Sequence, residues 1–220
     1  FRYSRRSLLR VSTVDDESVI KSIVGYDVDV SRLSRVKEVS SESPHGIYVY
    51  DRSRDEWVLT STNGNAFKPV VDGYYIIYFD NAKCHACRSF DSDWFPYIRS
   101  IAKKLDRHYF LVVLCEWFSR KCASEAASKT FKEYEVHASP TTYLIYLKNG
   151  GIVYKEKYEG RLNSVELVKV VEGFATRAEK FMRGEKVELP KAGEEVDITE
   201  LIKKLIEALN EANKSGKHRL

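Results

Sequence analysis

Two uninterrupted apolar runs, Tyr74–Phe79 and Tyr109–Leu114, constrain this chain more than any other feature. Each has the length of one strand. A strand that is apolar on both faces has to be covered on both, which makes these runs central strands of a sheet. Between them Phe90, Trp94, Ile98, Ile101, Ala102 and Leu105 recur at helical spacing. The stretch therefore reads as a strand–helix–strand unit.

The flanks extend the pattern. Ile47–Tyr50 and Trp57–Thr60 read as strands around a charged turn at 51–56, and a short helix is predicted near Asn65–Val71. A second helix is expected over Ala123–Tyr134. Thr142–Leu147 and Ile152–Tyr158 are strands joined by Lys148-Asn149-Gly150-Gly151, a strong hairpin signal. A helix follows from Ser164, with Leu167, Val170, Val171, Phe174 and Ala175 on one face and Asn163 and Glu166 spaced as a capping box. The order β-α-β-α-β-α-β-β-α predicts a parallel unit feeding an antiparallel hairpin in one mixed sheet.

Around this α/β domain, placed at residues 45–183, the composition shifts. Residues 1–44 are a polar, Arg/Ser-rich extension, with a short helix expected over Asp15–Val24 and a linker at Ser40–Pro44. Residues 184–220 are a charged connector and an amphipathic helix with Ile198, Leu201, Ile202, Leu205 and Leu209 on its stripe. That stripe needs a surface, on this chain, on a dedicated partner protein or on a second copy.

The net charge of +4 is too weak to imply nucleic acid, and no run approaches the ~18 apolar residues of a membrane span. The sequence opens on Phe1, not Met, and Arg2, Arg5, Arg6 and Arg10 stand without an acid among the first twelve residues. A preceding signal or anchor is one reading, which would place the protein outside the cytoplasm; a solvated basic terminus is the other. The chain has no Gln but many Lys and Glu, a thermophile tendency, and the first expectation is a cytoplasmic protein of a thermophilic prokaryote. Nothing matches a phosphate loop, a nucleophile–His–acid triad or a nucleotide motif, so no cofactor is expected.

Cys84-His85-Ala86-Cys87 sits where the first apolar run gives way to the helix. The thiolate is the reactive form of cysteine, and a free thiol with pKa about 8.5 supplies little of it at neutral pH. A helix N-terminus offers partial positive charge and free N–H groups to such an anion, and Lys83 and His85 add cations. Two intervening residues let the second sulfur reach the first. Cys84 is therefore the expected nucleophile and Cys87 the resolving thiol.

These residues, with Tyr75–Phe79 before them, Tyr134–Thr141 containing Ser139-Pro140, the Leu144–Gly150 hairpin and Glu159-Gly160-Arg161 after it, resemble the thioredoxin superfamily over roughly Trp57 to Phe181. The resemblance implies a thioredoxin fold, a mixed central sheet with helices on both faces, carrying the N- and C-terminal extensions. It implies that Pro140 is cis and faces the two sulfurs, and that Ser139 presents its backbone to a substrate segment beside His85 and Ala86. The activity implied is thiol–disulfide oxidoreduction on protein disulfides and dithiols; the alternative is a binding module docked through its extensions. Three departures stand out. Tyr78 occupies the family's buried-acid position, which makes Asp80 or Glu116 the candidate proton acceptor. Lys83 replaces an aromatic residue, and Pro96 comes later than the family's kink proline.

The same resemblance puts Cys115, ending the second run, and Cys122, opening the next helix, on the reactive edge. A local disulfide is one reading and an electron relay to Cys84 and Cys87 another. Reduced thiols or a metal site of four thiolates complete the set, though CxxC sulfurs at such a helix start are poorly splayed for a metal, and none is expected. Trp117 is a packing residue or a wall of a substrate groove, and His108 and His137 are solvated or core-edge residues.

Overall fold

The two apolar runs are the middle strands of a seven-stranded sheet. The computed structural model describes residues 16–61 and 63–191. The basic arm before Asp16 and the amphipathic stretch around Ile198–Leu209 lie outside the described residues. The chain divides into two compact units, Phe1–Glu188 and Leu189–Leu220, and the account below concerns the first.

β4 (Gly73–Asn81) and β5 (His108–Cys115) pair in parallel, with Tyr74 opposite His108 and Asn81 opposite Cys115. α2 (His85–Ile101) makes the crossover between them. β6 (Thr141–Lys148) runs antiparallel to β4, and β7 (Gly151–Glu159) antiparallel to β6. On the other side β2 (Gly46–Asp51) pairs with β5, β3 (Glu56–Ser61) with β2, and the two-residue β1 (Arg35–Val36) with β3, all antiparallel. The order is β1-β3-β2-β5-β4-β6-β7.

Alternation along the central strands feeds two cores. Ile76, Tyr78, Phe110, Val112 and Leu114 face one side, where they meet Phe90, Trp94 and Ile98 of α2 and Leu167 and Val170 of α4 (Ser164–Glu172). Tyr75, Ile77, Phe79, Leu111, Val113 and Cys115 face the other, under α1 (Asp16–Val24) and α3 (Glu125–Glu133). Fully burying each such large side chain contributes about 1.5–3 kcal/mol. α3 starts two residues later than its periodicity suggests, because the Ser124 hydroxyl takes the N-cap and accepts from the Ala127 N–H at 3.1 Å.

Two expectations need correction. No helix forms over Asn65–Val71. Pro69 disfavours helical backbone at Lys68, and the local polar groups find other partners: the Phe67 N–H donates to Thr130 Oγ1 at 2.9 Å, and the Val71 carbonyl accepts from the Tyr75 hydroxyl at 2.6 Å. Phe67 and Val71 still pack into the core on this side, where α1 lies against β2 and β3 with Val19 and Ile20 fully buried. Asp16 fixes α1 in place. Its carboxylate binds the Arg52 guanidinium and backbone N–H, and the same guanidinium donates to the Ala102, Leu105 and His108 carbonyls.

The helix from Ser164 is likewise broken, at Gly173, into α4 and α5 (Phe174–Met182). The α4 capping box forms as its spacing predicts. The break is made by Arg177, whose side chain folds back to donate to the Lys169 and Val170 carbonyls while pairing with buried Glu156 of β7. A Cβ at Gly173 would lie 2.5 Å from Arg177 Nη1 and 2.7 Å from the Lys169 carbonyl oxygen, so only glycine leaves room.

Candidate active site

The reactive edge is built where β4 and β5 end together. Past Asn81 the chain stays tied to its neighbour: the Ala82 N–H donates to the Cys115 carbonyl at 2.8 Å and the Lys83 N–H to the Glu116 carbonyl at 3.3 Å. The Cys84 N–H then turns back to the Asn81 carbonyl at 2.9 Å, and Cys84 becomes the N-cap of α2. Its Sγ accepts the Cys87 N–H at 3.2 Å, in the place a serine or aspartate oxygen usually fills. Negative charge on that sulfur would meet a hydrogen-bond donor and the positive end of a seventeen-residue helix.

Both cysteines are free thiols, and their exposure differs. Cys84 keeps 7% of its surface and Cys87 none. His85 and Ala86 are exposed between them. Burial, and next the hydrogen bond with Cys84, push the Cys87 thiol well above the ordinary range for cysteine.

The segment before β6 closes the site from the other side. The Ser139–Pro140 peptide bond is cis. The Ser139 carbonyl lies 3.6 Å from Cys84 Sγ, and the Ser139 hydroxyl is 2.8 Å from Cys87 Sγ. Pro140 is buried, and its carbonyl accepts the Gly160 N–H at 2.8 Å. Cys84, Cys87, Ser139 and Pro140 thus come together, although they stand more than fifty residues apart in sequence. A parallel βαβ unit, a connecting helix and a ββα unit surround a cysteine pair at the first helix start. This is a thioredoxin fold.

No family model and no curated protein matches the chain. Among solved structures it is similar to thioredoxin from Aeropyrum pernix, at 19% identity and TM-score 0.35 over 65% of this chain and 97% of that one. Chloroplastic thioredoxin z is 14% identical with TM-score 0.35, over 48% and 80% of the two chains. Thioredoxin of Trichomonas vaginalis is 15% identical with TM-score 0.33, over 55% and 96%. The fold assignment here rests on strand order and crossover, not on these scores.

Beneath the cysteines lies a charged network that the sequence reveals only in part. Asp80 shares the strand face of Tyr78, as the period of two requires, and is fully buried. One of its oxygens pairs with Arg88 of α2. The other, Oδ2, is buried without a hydrogen-bond partner at ordinary geometry among the described residues. Burial raises its carboxyl above the usual range, against the opposing pull of Arg88. Glu116, the other candidate acceptor, is half-buried and engages its neighbours through its backbone; its side chain makes no hydrogen bond or ion pair among the described residues.

Sequence reasoning missed Asp91 and Arg88. Asp91 Oδ1 accepts the Tyr78 hydroxyl at 3.0 Å, and its Oδ2 lies 3.2 Å from Arg88 Nη1. Burial, then the charge of Asp80, push its carboxyl up to about 7. The available signal was spacing. Asp91 follows Cys87 by four residues, which places it on the same face of α2 one turn on.

Cys115 and Cys122 form a disulfide, with Cα atoms 4.7 Å apart. Cys122 lies in the loop before α3, not in the helix, since Ser124 caps it. Cys115 packs into the core under α1 and α3, while Cys84 and Cys87 belong to the core under α2. The two pairs therefore belong to different cores of the sheet. Among the described residues no group of three or more His, Cys, Asp or Glu side chains is arranged to hold a metal ion.

Proposed function

We propose that this protein is a thiol–disulfide oxidoreductase acting on protein disulfides, with Cys84 as nucleophile and Cys87 as resolving thiol. The observation that carries the reading is the asymmetry of the pair. Cys84 is the helix N-cap, with its Sγ held by the Cys87 N–H and 7% of the residue's surface exposed, while Cys87 is wholly buried with its Sγ against the Ser139 hydroxyl.

In the reducing direction the Cys84 thiolate attacks one sulfur of a substrate disulfide. That S–S bond breaks, a Cys84–substrate disulfide forms, and the departing sulfur takes a proton. Cys87 then gives up its proton, attacks Cys84 Sγ and closes the Cys84–Cys87 disulfide, releasing the second substrate thiol. Two electrons pass from the protein dithiol to the substrate. The reverse sequence oxidises a substrate dithiol. The Ser139 carbonyl and the exposed His85–Ala86 stretch are the surfaces a substrate segment meets.

Cys87 is pushed toward its protonated form, so the second step needs a base. Asp80 is the candidate, because it is fully buried, its Oδ2 has no hydrogen-bond partner at ordinary geometry among the described residues, and its charge acts on the Cys87 thiol. Arg88 and Asp91 position it. A pure adaptor role has no observation of its own in its favour.

The test is trapping. Reduced Cys87→Ser protein mixed with an oxidised disulfide peptide should accumulate a peptide adduct through Cys84, located by tryptic mass spectrometry. The wild type should pass through that state and end as the Cys84–Cys87 disulfide. No adduct, or an adduct through another cysteine, overturns the assignment.

A further inference from the structure

The loop between Cys115 and Cys122 is held from several sides. The disulfide closes it. Trp117 and Lys121 exchange backbone hydrogen bonds of 3.1 and 3.3 Å across it. Asn81 Oδ1 accepts the Phe118 N–H at 2.6 Å, and the Ser128 hydroxyl donates to the Ser119 carbonyl at 2.9 Å. The Lys83–Glu116 backbone bond ties this loop to the residue that precedes Cys84.

Such constraint usually serves burial. Here it turns Phe118 toward Phe131 of the core and leaves Trp117 43% exposed, whereas Trp57 and Trp94 are 1% and 0% exposed. An indole carried on a braced loop and packed edge-to-face on Phe118 has less freedom to lose on binding and offers a large contact area. Lys83, Arg120 and Lys121 around it are exposed, and their side chains have no ion-pair partner among the described residues. The one acid on the loop, Glu116, is half-buried.

We propose that the Trp117 loop is the docking surface for the protein substrate. It would receive an acidic segment flanking the substrate's reactive cysteine, with an apolar side chain against the indole and carboxylates on Lys83, Arg120 and Lys121. This rests on the oxidoreductase reading in so far as the docked segment belongs to the protein that Cys84 attacks. The Cys115–Cys122 disulfide then keeps this surface in shape and carries no electrons.

Trp117 is the exposed one of three tryptophans, so its emission reports occupancy. The full chain is titrated with two peptides that differ only in flanking residues, glutamates in one and lysines in the other, each with its cysteine replaced by serine. The acidic peptide should shift the emission to the blue and bind at least about tenfold tighter than the basic one. Arg120→Glu with Lys121→Glu should reverse that preference. Trp117→Phe should abolish the spectral shift and weaken binding of a dye-labelled acidic peptide followed by anisotropy. Equal binding of the two peptides, or a preference that survives charge reversal, overturns the proposal. The titration involves no sulfur chemistry. An acidic preference without disulfide reduction would therefore remove the redox reading and leave the docking surface standing.

Discussion

Replacing Asp91 with asparagine should stabilise the protein at alkaline pH and leave it nearly unchanged at acid pH. The Asp91 carboxyl is raised from an ordinary 3.8 to about 7, first by burial and then by the charge of Asp80. At about 1.36 kcal/mol per tenfold change in proton affinity, this sets a ceiling of ~4 kcal/mol on the cost of ionising it in the fold. The side chain keeps 18% of its surface, and asparagine forfeits the contact with Arg88, so the expected net gain is about 1–2 kcal/mol. The sign follows from linkage. The native carboxyl holds its proton more tightly than the unfolded one, so its favourable contribution is complete below about 3.8 and is lost as pH rises through about 7. The amide keeps an acceptor for the Tyr78 hydroxyl and does not ionise. Urea unfolding of wild type and Asp91→Asn at pH 3.5 and pH 8.5 measures the difference. A variant less stable than wild type at pH 8.5 would refute the reasoning, since the carboxylate would then be a net stabilising partner of Arg88.

Iodoacetamide added to the reduced protein near neutral pH should label Cys84 before Cys87, because only Cys84 reaches solvent; peptide mapping reads the order. Asp80→Asn should leave the first attack intact and slow resolution about tenfold to a hundredfold, seen as a mixed disulfide that persists in quenched-flow samples. Cys115→Ser with Cys122→Ser should lower stability by about 2 kcal/mol, the modest effect of closing a short loop. Thermal unfolding reads this change, and turnover of a small-molecule disulfide should be nearly unaffected.

Much of this fold is legible in the sequence because its signals are local. Tyr74–Phe79 and Tyr109–Leu114 could be strands of only one kind, and Asn149-Gly150 fixes the hairpin. The CxxC marks its own place at a strand-to-helix junction. What the sequence hides is set by contacts between distant segments. Whether 65–71 is helical depends on Thr130 and Tyr75 taking its polar groups. The break at Gly173 depends on Arg177 reaching back to α4, which an unbroken apolar stripe conceals. The site divides in the same way. Cys84, Cys87, Ser139 and Pro140 announce themselves by motif, whereas Asp91 has meaning only once Tyr78, the residue in the buried-acid position, is seen to hand it a hydroxyl proton.

Insulin reduction tests the central claim most directly. With dithiothreitol as the electron source, the wild-type protein should accelerate the appearance of turbidity from released insulin B chain well beyond dithiothreitol alone. Cys84→Ser should return the rate to that background. A wild type no faster than background, or a Cys84→Ser variant as fast as wild type, would contradict the account.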